Sequence, residues 1–561
     1  DDKTLKVSTS SVLAVAFLAL LPSLTEATGK KHTKKGGKKK NNNKKGGGEA
    51  GVVYDAVIVG SGLTGLIAAT ELEEAGLNVK VLEAADRIGG KMYSKDLSDT
   101  QSVDYGGQWI GTDHTELMKL CDDLGITFFP VPSAYRTLTQ EEIDDPTRPE
   151  DVGLVNGPFV SFTYGGRNYR PSTLAATAYD AWKFGESEIP EDVQADLANC
   201  LRDIYTLLGS FPEGGYPHEL GDEWKFYDDM TVDEWFRTNT ETDLGYFLCN
   251  QLGPSPNRIN GGTGPAEPEA SSMLNFLWSM TNSPPSQNPE AFLINGAAGQ
   301  IPPRLAEKLD HPVAVSDPVV AIEQTKNAHG KIQAKVIAAS GKTYKAKNVL
   351  VAMSPYMSGR IDYSPGLPWK RHQLNQHKPK GTVAKMLLEY PTRFWDDVPD
   401  QGGRLHFVDK GSGMLSFMGD CTDNRSSQGH WVILITGEQY DMFAAYESEE
   451  ERKQAVLQEL AGIYGEAALY PDSFDMADWP ANKWVQGSYA AYWPPQAWTR
   501  FGEALIKPHG VIQWASTETA LKWDGYFEGC IREGKRAARD ILDGKIGDLP
   551  EKIFSGDYVE L

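Results

Sequence analysis

Three stretches of this 561-residue chain carry side chains that could do chemistry. The first is Gly60-Ser61-Gly62-Leu63-Thr64-Gly65, directly after the apolar run YDAVIVG. Gly60 permits a tight turn, Gly62 lets the backbone approach a diphosphate, and Gly65 lets a helix pack closely on a strand. Glu83, 23 residues after Gly60, is placed to accept hydrogen bonds from a ribose. That chemistry is the holding of a dinucleotide, and the motif alone does not choose between a nicotinamide and a flavin. The second stretch is GTVAKMLLEY, where Lys385 sits inside an apolar strand-like run. It reads either as an outward residue on an alternating strand or as a buried, functional amine. The third is KWVQGSYAAYWPP, residues 483–495, with Trp484, Tyr489, Tyr492 and Trp493. Those rings suit a packed edge or a wall around a reacting molecule. No HExxH or triad-like arrangement competes with these.

The elements around the first stretch follow from the hydrophobic pattern. YDAVIVG is a short strand, a helix runs from the glycine turn to about Gly76 with Leu63, Ile67 and Leu72 among its apolar positions, and NVKVLEA is a second strand. A helix N-terminus facing the turn favours bound phosphate. Glycine pairs recur at Gly89-Gly90 and Gly106-Gly107, with Arg87 and Lys91 beside the first pair, as suits an extended dinucleotide whose ring system is buried. A helix starting with a Ser448 to Glu451 capping box carries Val456, Leu460, Ile463 and Tyr464 on one face. From Gly525 onward, Phe527, Ile531, Gly534, Ala538 and Ile541 recur at helical spacing, with Gly544 as the stop. PSPNRINGGTGPAEPEASS, residues 254–272, reads as a loop-rich surface.

The chain is long enough for two domains, and its composition is that of a globular protein. The net charge is −22; residues 1–50 carry 11 lysines against 4 acids, which leaves the remainder at −29. An acidic body argues against nucleic acid as a partner and mildly attracts small cations such as amines. Residues 1–27 read as a signal segment: Lys3 and Lys6 precede an apolar run, Val12 to Leu21, too short to span a bilayer. Residues 28–53 read as a Lys- and Gly-rich disordered linker, or as a tether to an anionic surface. Asn424-Arg425-Ser426 is a glycosylation sequon, and the expected compartment is the secretory pathway or the exterior. Cys121, Cys200, Cys249, Cys421 and Cys530 show no metal-ligand spacing and allow a bridge only if the chain is secreted, with an odd thiol left over. No metal site is expected.

The run GSGLTGLIAATELEEAGLNVKVLEAADRIGGK with DYGGQWIG resembles the FAD-binding start of the flavin-containing amine oxidases, in their monoamine oxidase-like branch. The resemblance continues through FLINGAAGQIPPRLAEKL, PVVAIEQ, GTVAKMLLEYPTRFW and QWASTETALKWDGYFEGCIREGKRAARDIL, covering residues 54 to about 545 in family order. It implies an α/β fold: a Rossmann-like FAD-binding domain of the glutathione-reductase type from residues 54–130, 290–364 and 482–545, and a discontinuous α+β substrate domain from 131–289 and 365–481. The implied reaction is oxidation of a small primary amine to an imine and then an aldehyde, with ammonia and hydrogen peroxide released. Alternatives are oxidation of an L-amino acid or a polyamine and, in another class, a non-oxidase isomerase or desaturase of the same fold.

By the same resemblance, Gly60, Ser61, Gly62, Gly65, Glu83, Ala84, Lys91, Gly106, Gly107, Gln108, Trp109, Val319, Thr517, Glu518, Gly525, Tyr526 and Phe527 would hold FAD. The helix from Gly525 would point its positive end at the pyrimidine side of the flavin. Tyr489 and Tyr526 match two facing aromatics on the substrate side, Trp479 a tryptophan near the flavin, and Lys385 a lysine that serves reoxidation or imine hydrolysis. Three positions depart from the pattern. Ser488 stands where animal monoamine oxidases carry the cysteine joined to the flavin, so FAD is expected to be noncovalent. Ser516 stands where glycine is common, and Lys91 where arginine is usual, keeping charge but losing a bidentate fork.

Overall fold

The computed structural model describes residues 52–549, apart from 99–100, 132–159, 170, 175–181, 185–188, 253–265, 284–289, 398–404, 424–425 and 427. The signal segment, nearly all of the linker, the sequon at Asn424 and most of the loop-rich stretch from residue 254 lie outside the described residues.

Strand β1 (Val53–Val59), helix α1 (Leu63–Glu74) and strand β2 (Val79–Leu82) form the parallel unit expected of the glycine turn, with Val57 level with Lys80 and Val59 with Leu82. β1 is mostly buried: Ala56 and Ile58 pack on α1 and the C-terminal helix, while Tyr54, Val57 and Val59 pack with the strands from residues 319–351 and 512–514. On its other edge β1 pairs in parallel with Thr343–Val351, which also pairs in parallel with Ile512–Trp514. The sheet extends through the antiparallel strands Ile332–Ala338 and Val319–Lys326 to a short edge strand, Asp362–Ser364. Its seven strands therefore come from three distant parts of the chain.

A second seven-stranded sheet runs Ser473–Asp478, Val383–Tyr390, Gly429–Thr436, Phe417–Asp420, Leu405–Val408, Val160–Tyr164 and Arg167–Tyr169. Its pairs are antiparallel except Leu405–Val408 with Val160–Tyr164. Every residue of Val383–Tyr390 is buried, so both faces meet a core. The period-2 alternation sends Val383 and Leu387 into a cluster with Trp479, Tyr105 and Phe417, and Ala384, Met386, Leu388 and Tyr390 into another with Trp395 and Trp431. Lys385 shares the parity of Val383 and Leu387, and its ammonium reaches the Gly106–Gln108 segment. The architecture is a Rossmann-like α/β domain joined to an α+β domain, as expected.

The C-terminal helix Phe527–Leu542 ends before Gly544, which has φ +70°. It packs on α1, and a Cβ on Gly534 would lie 2.7 Å from the Thr64 carbonyl oxygen and 2.9 Å from Ile67. The predicted capping box forms: Glu451 N–H donates to Ser448 Oγ (3.2 Å), and Ser448 N–H donates to Glu451 Oε2 (3.0 Å).

Cys200 on helix Glu191–Ser210 and Cys249 on helix Asp243–Leu252 form a disulfide, 49 residues apart, while Cys121, Cys421 and Cys530 are free. Chain-entropy arguments give a loop of that size about 4 kcal/mol. Replacing both bridge cysteines with serine is therefore expected to lower stability by about that much in denaturant titration, and reduction of the native protein should do the same.

Candidate active site

A cavity of about 550 Å³ opens at the end of β1. Its wall begins at Gly60, Gly62, Leu63 and Thr64, passes Glu83 and Ala84, and includes Lys91, Gly107 and Val319. The far wall is Thr517, Glu518, Gly525, Tyr526 and Phe527, closed by Ser488 and Tyr489. Residues from the glycine turn and from the aromatic stretch, over 400 positions apart, thus face one space.

The glycine turn has a geometric reason at two positions. Gly60 has φ +107°, and a Cβ there would sit 2.6 Å from the Ala352 carbonyl oxygen. A Cβ on Gly65 would lie 2.1 Å from the Gly60 carbonyl oxygen, so α1 could not seat against the turn. Gly62 differs: a Cβ there meets no atom of the described residues within 4 Å and would point into open space. Glu83 is held in place from below, since Ser61 donates to Oε2 through N–H (2.8 Å) and Oγ (2.7 Å), and Ala85 N–H donates to Oε1 (2.9 Å). Ser61 therefore orients the carboxylate.

One layer behind this wall, Lys385 is buried with its Nζ donating to the Gly106 carbonyl (2.8 Å) and to Gln108 Oε1. The Trp109 ring centroid is 5.7 Å from the ammonium. Trp479 is buried, donates Nε1–H to the Tyr105 carbonyl (2.9 Å), and its ring edge lies 3.4 Å from where a Gly106 Cβ would be. Burial pushes Lys385 down to about 8, opposed by the nearby Asp104 charge. Burial raises Asp104 to about 6 against Lys385 and its hydrogen bonds from Ser94 and Ala298. Gln108 also donates to Cys421 Sγ (3.1 Å). These residues form a hydrogen-bonded platform under the cavity wall.

The two tyrosines line the same cavity. The Ser488–Tyr489 peptide is cis, Lys91 Nζ donates to the Tyr489 carbonyl, and a Cβ on Gly525 would be 3.8 Å from the Tyr489 ring. Tyr526 caps the C-terminal helix; its hydroxyl donates to Glu290 Oε1 (2.6 Å), and its ring meets His114 (5.2 Å) and Trp523 (5.4 Å) edge to face. Thr517 Oγ1 accepts from Gly525 N–H (2.7 Å), tying the far wall to the helix start. Tyr492 and Trp493 take no part in the wall; Trp493 is buried and stacks on Trp498 at 3.5 Å.

Three comparisons bear on this arrangement. The model of the flavin-containing amine oxidoreductases matches residues 63–542. The chain belongs to that family. Among its relatives, an L-amino acid dehydrogenase of Synechocystis is 35% identical over 87% of this chain and 94% of its own. A probable flavin-containing monoamine oxidase A of Dictyostelium discoideum is 30% identical over 88% and 98%. Among solved structures, a cyclohexylamine oxidase from Brevibacterium oxydans superposes with a TM-score of 0.72 at 25% identity, covering 88% of this chain and 99% of that one.

The cofactor of this flavin-containing amine oxidoreductase is FAD, and the residues present fit it. The open space in front of Gly62 is a cradle that a Cβ would fill, at the N-terminus of α1, where a diphosphate is stabilised. The carboxylate of Glu83 stands on the cavity wall, as a ribose requires.

Sequence reasoning missed several residues here. Lys380 lies on the cavity wall and Lys378 is buried close by; KPKG reads as an exposed polar turn and gives no sign of burial. Glu290 and His114 come from segments without a motif. Asp104 could have been found, because it stands two residues before a glycine pair; its carboxylate accepts from Ser94 Oγ and Ala298 N–H.

Proposed function

We propose that this enzyme oxidises a small primary amine held between Tyr489 and Tyr526, and that the substrate-side domain is the one built on the second sheet. One observation carries the reading: the phosphate-cradling turn and both tyrosines line one cavity. The balanced reaction takes the amine, oxygen and water to an aldehyde, ammonia and hydrogen peroxide. FAD supplies the two-electron oxidation. The chain's own residues do the rest. Tyr489 and Tyr526 offer flat apolar faces to a neutral amine and its carbon chain. The burial of Trp479 and Tyr105 helps exclude bulk water. Lys385, held by Gly106 and Gln108 and poised near 8, gives or takes a proton at Nζ.

Ser488 on the cavity wall supports noncovalent FAD, because a hydroxyl cannot make the thioether a cysteine makes. Denaturation of the holoprotein with acid or guanidinium is expected to release essentially all the flavin into the filtrate; flavin retained on the precipitated chain would contradict this.

A second reading is oxidation of an L-amino acid, which the identity to the Synechocystis dehydrogenase supports. The test is a panel of monoamines, diamines and L-amino acids, with ammonia and peroxide measured under oxygen and a redox dye as alternative acceptor. Turnover of primary monoamines with peroxide supports the first reading; turnover confined to L-amino acids overturns it in favour of the second. We also place the protein in the secretory pathway, supported by the N-terminal pattern and the Cys200–Cys249 bridge. Its lysine-rich segment then acts as a tether to an anionic surface.

A further inference from the structure

Two ammonium groups share one carboxylate inside the cofactor cavity. Lys380 and Glu518 are both almost fully buried and line the cavity, with Lys380 Nζ 3.4 Å from Glu518 Oε1. Lys91 Nζ lies 3.8 Å from the same oxygen and is anchored on the Tyr489 carbonyl. The backbone fixes Lys380 firmly: it bridges to Ala491, and Gly381 on its C-terminal side donates to the Ala490 carbonyl (3.0 Å) and accepts from Ser488 N–H (2.9 Å). Gly487 passes so close that a Cβ on it would sit 2.8 Å from that of Lys380. This corner also faces the start of α1, since the Cys530 thiol there interacts with Thr64, Thr517, Lys91 and Glu518 together.

A buried lysine is expensive to keep charged, and a single carboxylate balances only one of two ammoniums. Burial and the Lys91 charge push Lys380 down to about 7 against the pull of Glu518. Burial opposes ionisation of Glu518, yet Lys380 and Lys91, with Lys378 behind them, hold its carboxyl well below the usual range. The corner thus sets two lysine Nζ groups against one carboxylate, one more than a structural ion pair needs, and a bound anion would favour the charged form of Lys380. The only dianionic group the family's cofactor brings is its diphosphate.

We propose that Lys380, with Lys91, supplies the unbalanced positive charge that draws the diphosphate of FAD into this cavity, while Glu518 holds the two ammoniums in place before the cofactor arrives. The inference rests on the family's cofactor and not on which amine is the substrate.

The test is titration of flavin-stripped protein with FAD, followed by flavin fluorescence at several salt concentrations, with ADP, which carries the adenosine and diphosphate without the flavin, as a competitor. Lys380→Met is expected to weaken FAD by at least about tenfold. It should weaken ADP in parallel and make the salt dependence shallower, because one screened attraction has gone. Lys380→Arg should stay within about threefold of the parent, because the charge remains. FAD affinity within twofold of the parent in the methionine variant overturns the proposal, as does a loss for FAD that ADP does not share. Lys380→Gln reads the same outcomes if the methionine variant does not fold.

Discussion

Lys385→Met is expected to leave FAD bound with an unchanged affinity and to slow the return of flavin absorbance in oxygen by about 100-fold, within the usual range for a positioned proton donor or acceptor. Lys385 is aimed by strand alternation, its ammonium is fixed on the Gly106 carbonyl and Gln108, and it lies behind the cavity wall rather than on it. The methionine is close in length and apolar, so the fold should tolerate it in a strand whose residues are all buried. Its ammonium is pushed down to about 8, so the rate of reoxidation in the parent should change with pH through that value, and the variant should lose the inflection. The sign for stability follows from the same depression. The unfolded lysine binds its proton up to about 10.5, so the unfolded chain carries more protons between 8 and 10.5. The parent therefore gains more stability than the variant as pH rises through that window, since the variant lacks this one group's contribution. Unchanged reoxidation in Lys385→Met would remove the proposed role.

Gly62→Ala and Gly65→Ala are expected to separate cofactor binding from folding. The two glycines are three residues apart in one motif, yet a Cβ meets open cavity at Gly62 and a carbonyl oxygen at 2.1 Å at Gly65. The Gly62 variant should unfold at nearly the parent's denaturant midpoint as apoprotein and bind FAD at least about tenfold more weakly, because the methyl group occupies the diphosphate's approach. The Gly65 variant should lose about 3 kcal/mol or more of stability in the apoprotein itself, because α1 must move off the turn. Denaturant titration of both apoproteins, with FAD titration of the same samples, checks the pair. Unchanged FAD affinity in the Gly62 variant would show that the open space at Gly62 is not where the diphosphate passes.

The legible part of the fold was the part with a short-range cause. The β1–α1–β2 unit, the Ser448 capping box and the C-terminal helix all follow from periodicity, caps and glycines within a few residues of one another. Glu83 was legible for the same reason, being one strand away from Gly60. Lys385 was not decided by its own strand, because VAKMLLEY is buried on both faces and its alternation cannot tell core from surface. Only the Gly106–Gln108 segment, 277–279 positions away in the chain, turns that lysine into a platform residue. Lys380 was invisible for a related reason. A lysine between a proline and a glycine reads as solvent-exposed, and its burial depends on the strand-like run 488–491 folding back over it. Tyr526 was found through family resemblance, but its hydroxyl's bond to Glu290 joins positions 236 apart and leaves no trace in either local sequence.

The aromatic stretch divides as its burial dictates. Tyr489 faces the cavity, whereas Trp493 stacks on Trp498 in the core, so one short segment supplies both a wall and its support. That division makes Tyr489→Ala a test of the wall without loss of the support, with kcat/KM for the preferred amine expected to fall by about tenfold and the unfolding midpoint to shift little.

The most direct measurement is the visible spectrum of the FAD-loaded protein mixed with primary monoamines in the absence of oxygen. Bleaching of the flavin band by at least one such amine, with one aldehyde formed per flavin and colour restored by oxygen, is the predicted result. A yellow, folded, FAD-saturated protein whose spectrum no amine changes would contradict the assignment.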